Sequence, residues 1–218
     1  MRLTCSRYLL AEKSFSEVVI YEQRDSVGGV WNYTPLPAGQ HQIGQEDRSN
    51  GHTKHDALDV VTAGLPKLNT PMYEGLETNL PHMLMQFSDT PFPTKTQLFP
   101  KRETVMQYLE DYAHDLIEMI NFDNQVVDVA PTGDGEYHGW TVTTQTGSGG
   151  AKNATQVFDA VIAANGHCDW PLLPTIDGLD EWSETFPGSL HHSVSYKNAT
   201  GFKNKVSKDR SIWFHVSL

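Results

Sequence analysis

The stretch VVIYEQRDSVGGVWNY, Val18 to Tyr33, decides how this chain is read. Its first half, within SEVVIYEQR, is a short dense run of β-branched and aromatic residues and predicts a buried strand. Just before it, RYLLAEK (Arg7 to Lys13) is helix-like. A helix feeding a buried strand is half of a βαβ unit. The other half, a preceding strand and its turn, is not written in the residues MRLTCS that come before.

The second half of the stretch carries chemistry. Glu22 closes the strand where a dinucleotide-binding α/β domain places the acid that accepts both hydroxyls of a ribose. Gly28 and Gly29 have no Cβ and let backbone approach a ligand. Trp31 offers a flat, rigid wall. The same residues also suit a surface acid, a tight turn and a core tryptophan.

Further along, residues 25 to 100 are rich in Gly, Pro, Asn and Asp with little periodicity, which in a compact domain suggests a binding region. Within it, YEGLETNLPHMLMQFSD (Tyr73 to Asp89) holds a TNLP turn. There Thr78 and Asn79 precede a proline, which biases Asn79 away from helix and exposes an uncharged amide, though a turn-forming Asn reads the same way. From Arg102 the spacing of Val105, Leu109, Tyr112, Leu116 and Ile120 predicts one helix over RETVMQYLEDYAHDLIEMI, with this face in the core. NQVVDVAP and YHGWTVTTQT follow around a TGDGE turn and predict two alternating strands. TQVFDAVIAAN predicts a return to a buried strand, stopped by ANGH, whose amides could face a cofactor. Pro171 and Pro174 then stiffen an extended exit. The fold class expected is α/β: an incomplete Rossmann-like domain with a small antiparallel β excursion.

Composition narrows the partners. Sixteen basic against twenty-seven acidic side chains give a formal net charge of −11, which repels phosphate backbones and disfavours nucleic acid. Two cysteines, Cys5 and Cys168, build neither a disulfide framework nor a redox CxxC, and a reducing, cytoplasmic setting is expected. No apolar run approaches the ~20 residues that span a bilayer, so no membrane segment is expected in this chain. His191–His192 lacks further ligands at suitable spacing, so no metal is expected.

Near the C-terminal end stands FPGSLHHSVSY, Phe186 to Tyr196. Phe186, Gly188, His192 and Tyr196 resemble the FxGxxxHxxxY fingerprint of the flavin-containing monooxygenases, with the likeness strongest to fungal, dimethylaniline monooxygenase-like members. VVIYEQRDSVGGVWNY looks like the segment after that family's first FAD turn, and TNLP like its active-site asparagine loop. The resemblance runs from about Arg7 to Lys205.

It implies FAD and NADPH as cofactors, with O₂ and a small nucleophilic amine or sulfide as substrates, oxygenated on N or S through a C4a-hydroperoxyflavin. It further implies that Glu22 holds the FAD ribose, that Gly29, Val30 and Trp31 line the flavin, and that Thr78 and Asn79 face flavin and nicotinamide, Asn79 as the catalytic residue. The fingerprint residues would be structural, linking two domains: residues 1–175 as part of an FAD-binding domain, and 176–218 as a linker and the start of an NADPH-binding one. The sequence departs from the family pattern in carrying neither GxGxxG motif, the turn whose amides bind pyrophosphate. An N-terminal fragment with impaired activity is therefore expected, or alternatively a non-catalytic relic or interaction module that keeps part of the fold.

Overall fold

The structure, a computed structural model, describes residues 2–35, 68–133, 139–146, 152–166, 175–186 and 189–202. His167, Cys168, Pro171, Pro174, Gly188, most of the TGDGE turn and residues 203–218 lie outside them.

Helix α1 (Arg2–Glu12) leads into strand β1 (Ile20–Tyr21). The short helix α2 (His82–Met85) precedes the long helix α3 (Arg102–Ala113). The 3-10 segment His114–Met119 then delivers the chain to β2 (Ile120–Asn121). β1 and β2 pair in parallel, Ile20 with Ile120 and Tyr21 with Asn121. Strands β3 (Asn124–Pro131), β4 (Trp140–Thr146) and β5 (Lys152–Phe158) form a separate antiparallel sheet in the order β3-β4-β5. Helix α4 (Leu179–Thr185) and the 3-10 turns Ser193–Ser195 and Ala199–Phe202 follow.

Burial explains why these pieces adhere. Ile20, Val27, Ala113, Leu116 and Ile120 form a buried cluster, with Leu3, Leu10, Met106, Met119 and Phe122 packed against it. One hydrophobic seam thus unites α1, β1, the glycine turn, α3 and β2. On the other side of α3, Tyr108 stacks on Phe92 with ring centroids 3.9 Å apart, and Phe87 lies 4.1 Å from Tyr112. The Arg7 guanidinium sits 4.3 Å above the Tyr112 ring, fastening α1 to that face by a cation–π contact.

Three expectations are corrected. The helix predicted from Arg102 through Ile120 is α-helical only to Ala113, although its apolar face faces inward as spaced. The tighter winding of 114–119 ends in an Ile120 N–H bonded to the Ile117 carbonyl, and this turns the chain into β2. The strand expected over SEVVIYEQR shrinks to Ile20–Tyr21, and just past this pair Asp123, at φ 53, turns the partner so that its N–H donates to the Arg24 carbonyl at 3.0 Å. The third strand lies earlier than expected: β5 pairs Trp140 with Phe158 and Thr146 with Lys152. Ala160–Asn165 joins no ladder, and Val161 and Ile162 are exposed where a buried strand was anticipated. The antiparallel excursion itself matches, with β3 offset by a bulge between Val126 and Asp128.

Leu116 is 2% exposed at the centre of the seam. Leu116→Ala should cost about 2–5 kcal/mol in chemical denaturation, the range for a core leucine that leaves a cavity. A loss below 1 kcal/mol would show that the seam does not hold the fold together.

Candidate functional site

A cavity of about 590 Å³ opens beside the β1–β2 pair, within the roughly 300–1,000 Å³ typical of ligand sites. Glu22, Gly29, Val30 and Trp31 all line it. So do Asn165 and Gly166 from the VIAANGH stretch, and Met85 and Phe87 from the third stretch. All three chemically suggestive stretches thus reach one space. The third does so through apolar side chains: Thr78 and Asn79 are not among the lining residues. Thr78 is buried, its N–H bonded to the Pro100 carbonyl at 3.0 Å and its hydroxyl donating to the Leu80 carbonyl at 2.8 Å. Asn79 is exposed on the turn just ahead of α2.

Glu22 is 8% exposed and fixed by backbone on three sides. Its N–H donates to the Asn121 carbonyl, its carbonyl accepts from Asn124 N–H, and its carboxylate Oε1 accepts from Arg24 N–H, each at 3.0 Å. A strand-end acid tied this way is oriented before any ligand arrives.

The turn that follows is built around a residue the sequence reading passed over. Asn32 Nδ2 donates to the Val27 carbonyl at 2.8 Å and the Gly29 carbonyl at 3.1 Å, while its Oδ1 accepts from Ser26 Oγ at 3.1 Å. Trp31 N–H closes on the Gly28 carbonyl at 3.0 Å. Gly28 needs its missing side chain: its φ is +103, and a Cβ would lie 2.5 Å from Met106 Sδ. Gly29, at φ +54, has nothing within 4 Å of a Cβ, so its open face is the one a ligand can approach.

Tyr108 closes another side of the cavity. Its hydroxyl donates to the Thr90 carbonyl at 2.6 Å and accepts from Phe87 N–H at 2.8 Å. Burial, ahead of other influences, raises its pKa, so it stays a neutral phenol.

The fingerprint segment packs elsewhere. His192 Nδ1 accepts from Val194 N–H at 3.1 Å, capping a 3-10 turn, and Tyr196 meets Tyr73 edge-on at 5.4 Å. Phe186, half exposed, lies 4.5 Å from Trp182. Beside Tyr196, Lys197 is 5% exposed and donates to the carbonyls of Thr70 and Met72. Sequence alone gave no signal for it, since a lysine is ordinarily solvated. Burial lowers its pKa from 10.5 to about 8. Among the described residues no group of three or more His, Cys, Asp or Glu converges as a metal site, and no helix is long and apolar enough to cross a membrane.

With this geometry in view, comparison places the chain. A family model, "FMO-like: Flavin-binding monooxygenase-like", matches residues 65–207, and the chain belongs to that family. It is 31% identical over 199 residues to flavin-containing monooxygenase FMO GS-OX5 of Arabidopsis thaliana, covering 87% of this chain and 38% of that protein. It is 32% identical over 198 residues to FMO GS-OX-like 6 of the same plant, covering 87% and 37%. The chain thus spans little more than a third of the length of the curated relatives it matches. These are plant proteins, which corrects the expected leaning toward fungal members. Among solved structures, S-allyl-L-cysteine S-oxygenase from Allium sativum superposes with TM-score 0.60 at 31% identity, covering 82% of this chain and 36% of that one. Tmm from Pelagibacter sp. strain HTCC7211 gives 0.62 at 23%, covering 88% and 38%, a likeness of fold.

Two outcomes follow from the turn and from the buried lysine. Gly28→Ala should destabilise the chain by about 1–3 kcal/mol, through its left-handed backbone and the Met106 collision. Gly29→Ala, with open space, should cost less, and equal losses in denaturant titrations would refute the Met106 contact. For Lys197 the unfolded chain holds one more proton between pH 8 and 10.5, so stability rises with pH across that window. The melting temperature of wild type minus that of Lys197→Met should therefore rise from pH 7.5 to 10, whereas a constant difference would refute the burial of the ammonium.

Proposed function

We propose that this chain forms the flavin-facing part of an NADPH- and O₂-dependent monooxygenase acting on a soft nucleophile, a sulfide or a tertiary amine. One observation carries the reading: a carboxylate closing a strand, an open glycine, a tryptophan and an Asn-Gly turn share one largely apolar cavity. Those residues fit the ribose and ring portions of FAD. Glu22 would accept the ribose hydroxyls, and Gly29, Val30 and Trp31 would lie along the ring. Flavin supplies the redox and oxygen chemistry when bound. The protein's own part is to orient it and to keep water out with Phe87, Phe92, Tyr108 and Trp31. The family resemblance gives Asn79 the role of presenting its amide to flavin and nicotinamide, although its side chain lies outside the lining of this cavity. Sulfur is the favoured target atom, because the Allium sativum relative is named as an S-oxygenase.

Residues 1–175 would belong to the FAD-binding domain and 176–218 to the linker and start of an NADPH-binding domain, in a cytoplasmic protein. A second reading is a scaffold that keeps the fold without catalysis.

The two part on a flavin titration. The monooxygenase reading predicts a flavin absorbance spectrum that co-purifies or saturates on adding FAD, and NADPH oxidation stimulated by a thioether. Glu22→Ala should weaken FAD binding about 10- to 100-fold, as expected for losing charge-assisted hydrogen bonds of roughly 1.5–3 kcal/mol. A cooperatively folded chain that never takes up FAD would decide for the scaffold.

A further inference from the structure

We propose that Lys197 is a positioning residue, whose ammonium, seated on the Thr70 and Met72 carbonyls, holds Thr70 against Asn32 and thereby sets the Gly28–Trp31 wall of the cavity. That this wall faces a flavin rests on the function proposed above; the coupling itself does not.

The links are continuous and mostly dry. Lys197 Nζ donates to the Thr70 carbonyl and, at 3.2 Å, to that of Met72. Thr70, 2% exposed, turns its hydroxyl to donate to the Asn32 carbonyl. Asn32 in turn donates through Nδ2 to the Val27 and Gly29 carbonyls, and through its N–H to the Gly29 carbonyl at 3.2 Å. Three bonds in series, Lys197 to Thr70, Thr70 to Asn32 and Asn32 to Val27 or Gly29, therefore lead from the residue after the fingerprint tyrosine to the backbone lining the cavity. Parallel ties bring the same two segments together: Asn69 Nδ2 donates to the Val194 carbonyl at 3.1 Å, and Glu74 N–H to the Lys197 carbonyl at 2.8 Å.

An ammonium is suited to this place. One cation satisfies two carbonyls at once by charge-assisted hydrogen bonds, stronger than neutral ones. Burying it is costly, so its presence is not explained by stability alone. The Tyr33 ring, 6.0 Å from Nζ, and Arg102, 5.0 Å from the same ring, complete the surroundings, with Tyr33 OH donating to Glu74 Oε1 at 3.1 Å. A shift of the fingerprint segment would thus be felt at Trp31, across residues distant in sequence.

The test is ¹⁹F NMR of the full chain labelled with 5-fluorotryptophan, with the Trp31 resonance assigned by Trp31→Phe among the five tryptophans. Lys197→Met and Thr70→Val should each move that resonance by more than its linewidth and in the same direction. Asn198→Ala, which removes the Asn198–Glu74 bond and the local Thr200–Asn198 bond but leaves Lys197 and Thr70 untouched, should leave it in place. A Trp31 signal unmoved in folded Lys197→Met overturns the proposal, as does an equal shift in Asn198→Ala, which would mean general loosening. Should Lys197→Met fail to fold, Thr70→Val decides by the same criterion. Adding FAD to the wild type separates the two readings. A Trp31 signal that answers to Lys197→Met but not to FAD refutes the flavin site and keeps the coupling, and the reverse refutes the coupling.

Discussion

Everything in this structure hangs on a parallel pair only two residues long. Ile20 opposite Ile120 and Tyr21 opposite Asn121 join the N-terminal helix and glycine turn to the unit of α3 and the antiparallel sheet. Backbone hydrogen bonds alone would not hold such a junction. The buried side chains of Ile20, Ile120, Leu116 and Val27 do so by removing apolar surface from water, and the ladder supplies register. That register places Glu22 one step past the last pair, where its backbone bonds extend the clamp and its carboxylate meets the cavity.

Charge and shape divide the work around that cavity. The chain carries a net charge of −11, so an anionic cofactor gains nothing from the general field. Under the proposed function, attraction would come from local geometry: a backbone opened at Gly29, aromatic walls, and an acid suited to hydroxyls rather than phosphate. Asn32 and Thr70 keep the wall in shape from behind, and the lysine beyond them brings the fingerprint segment into the same network.

How much of this was legible in the sequence depended on whether local pattern or tertiary context decided the outcome. Strand β3 (Asn124–Pro131) emerged as NQVVDVAP reads, and β4 followed its alternation, because hairpin neighbours provide the ladder that the pattern requires. The inward face of α3 was likewise written in its spacing. AVIAAN failed as a strand for the complementary reason: apolar, β-branched sequence favours extension, but a strand exists only beside a partner. The switch to 3-10 winding at His114 has no glycine or proline to announce it, since the need to enter β2 lies in the fold. In the site, Glu22, Gly29 and Trp31 could be found because acids and glycines at strand ends carry known chemistry. Met85 and Phe87 look like any apolar pair. Asn32 reads as a turn former and Lys197 as a surface lysine until their partners, distant in sequence, are placed beside them.

Hydrogen exchange measured by mass spectrometry, with and without saturating FAD, tests most directly whether these residues wall one flavin site. Protection should appear together in residues 20–32, 105–109 and 163–166, with β4 and β5 unchanged. No protection in any of the three, or protection confined to the antiparallel sheet, would contradict a common cavity as the place where flavin sits.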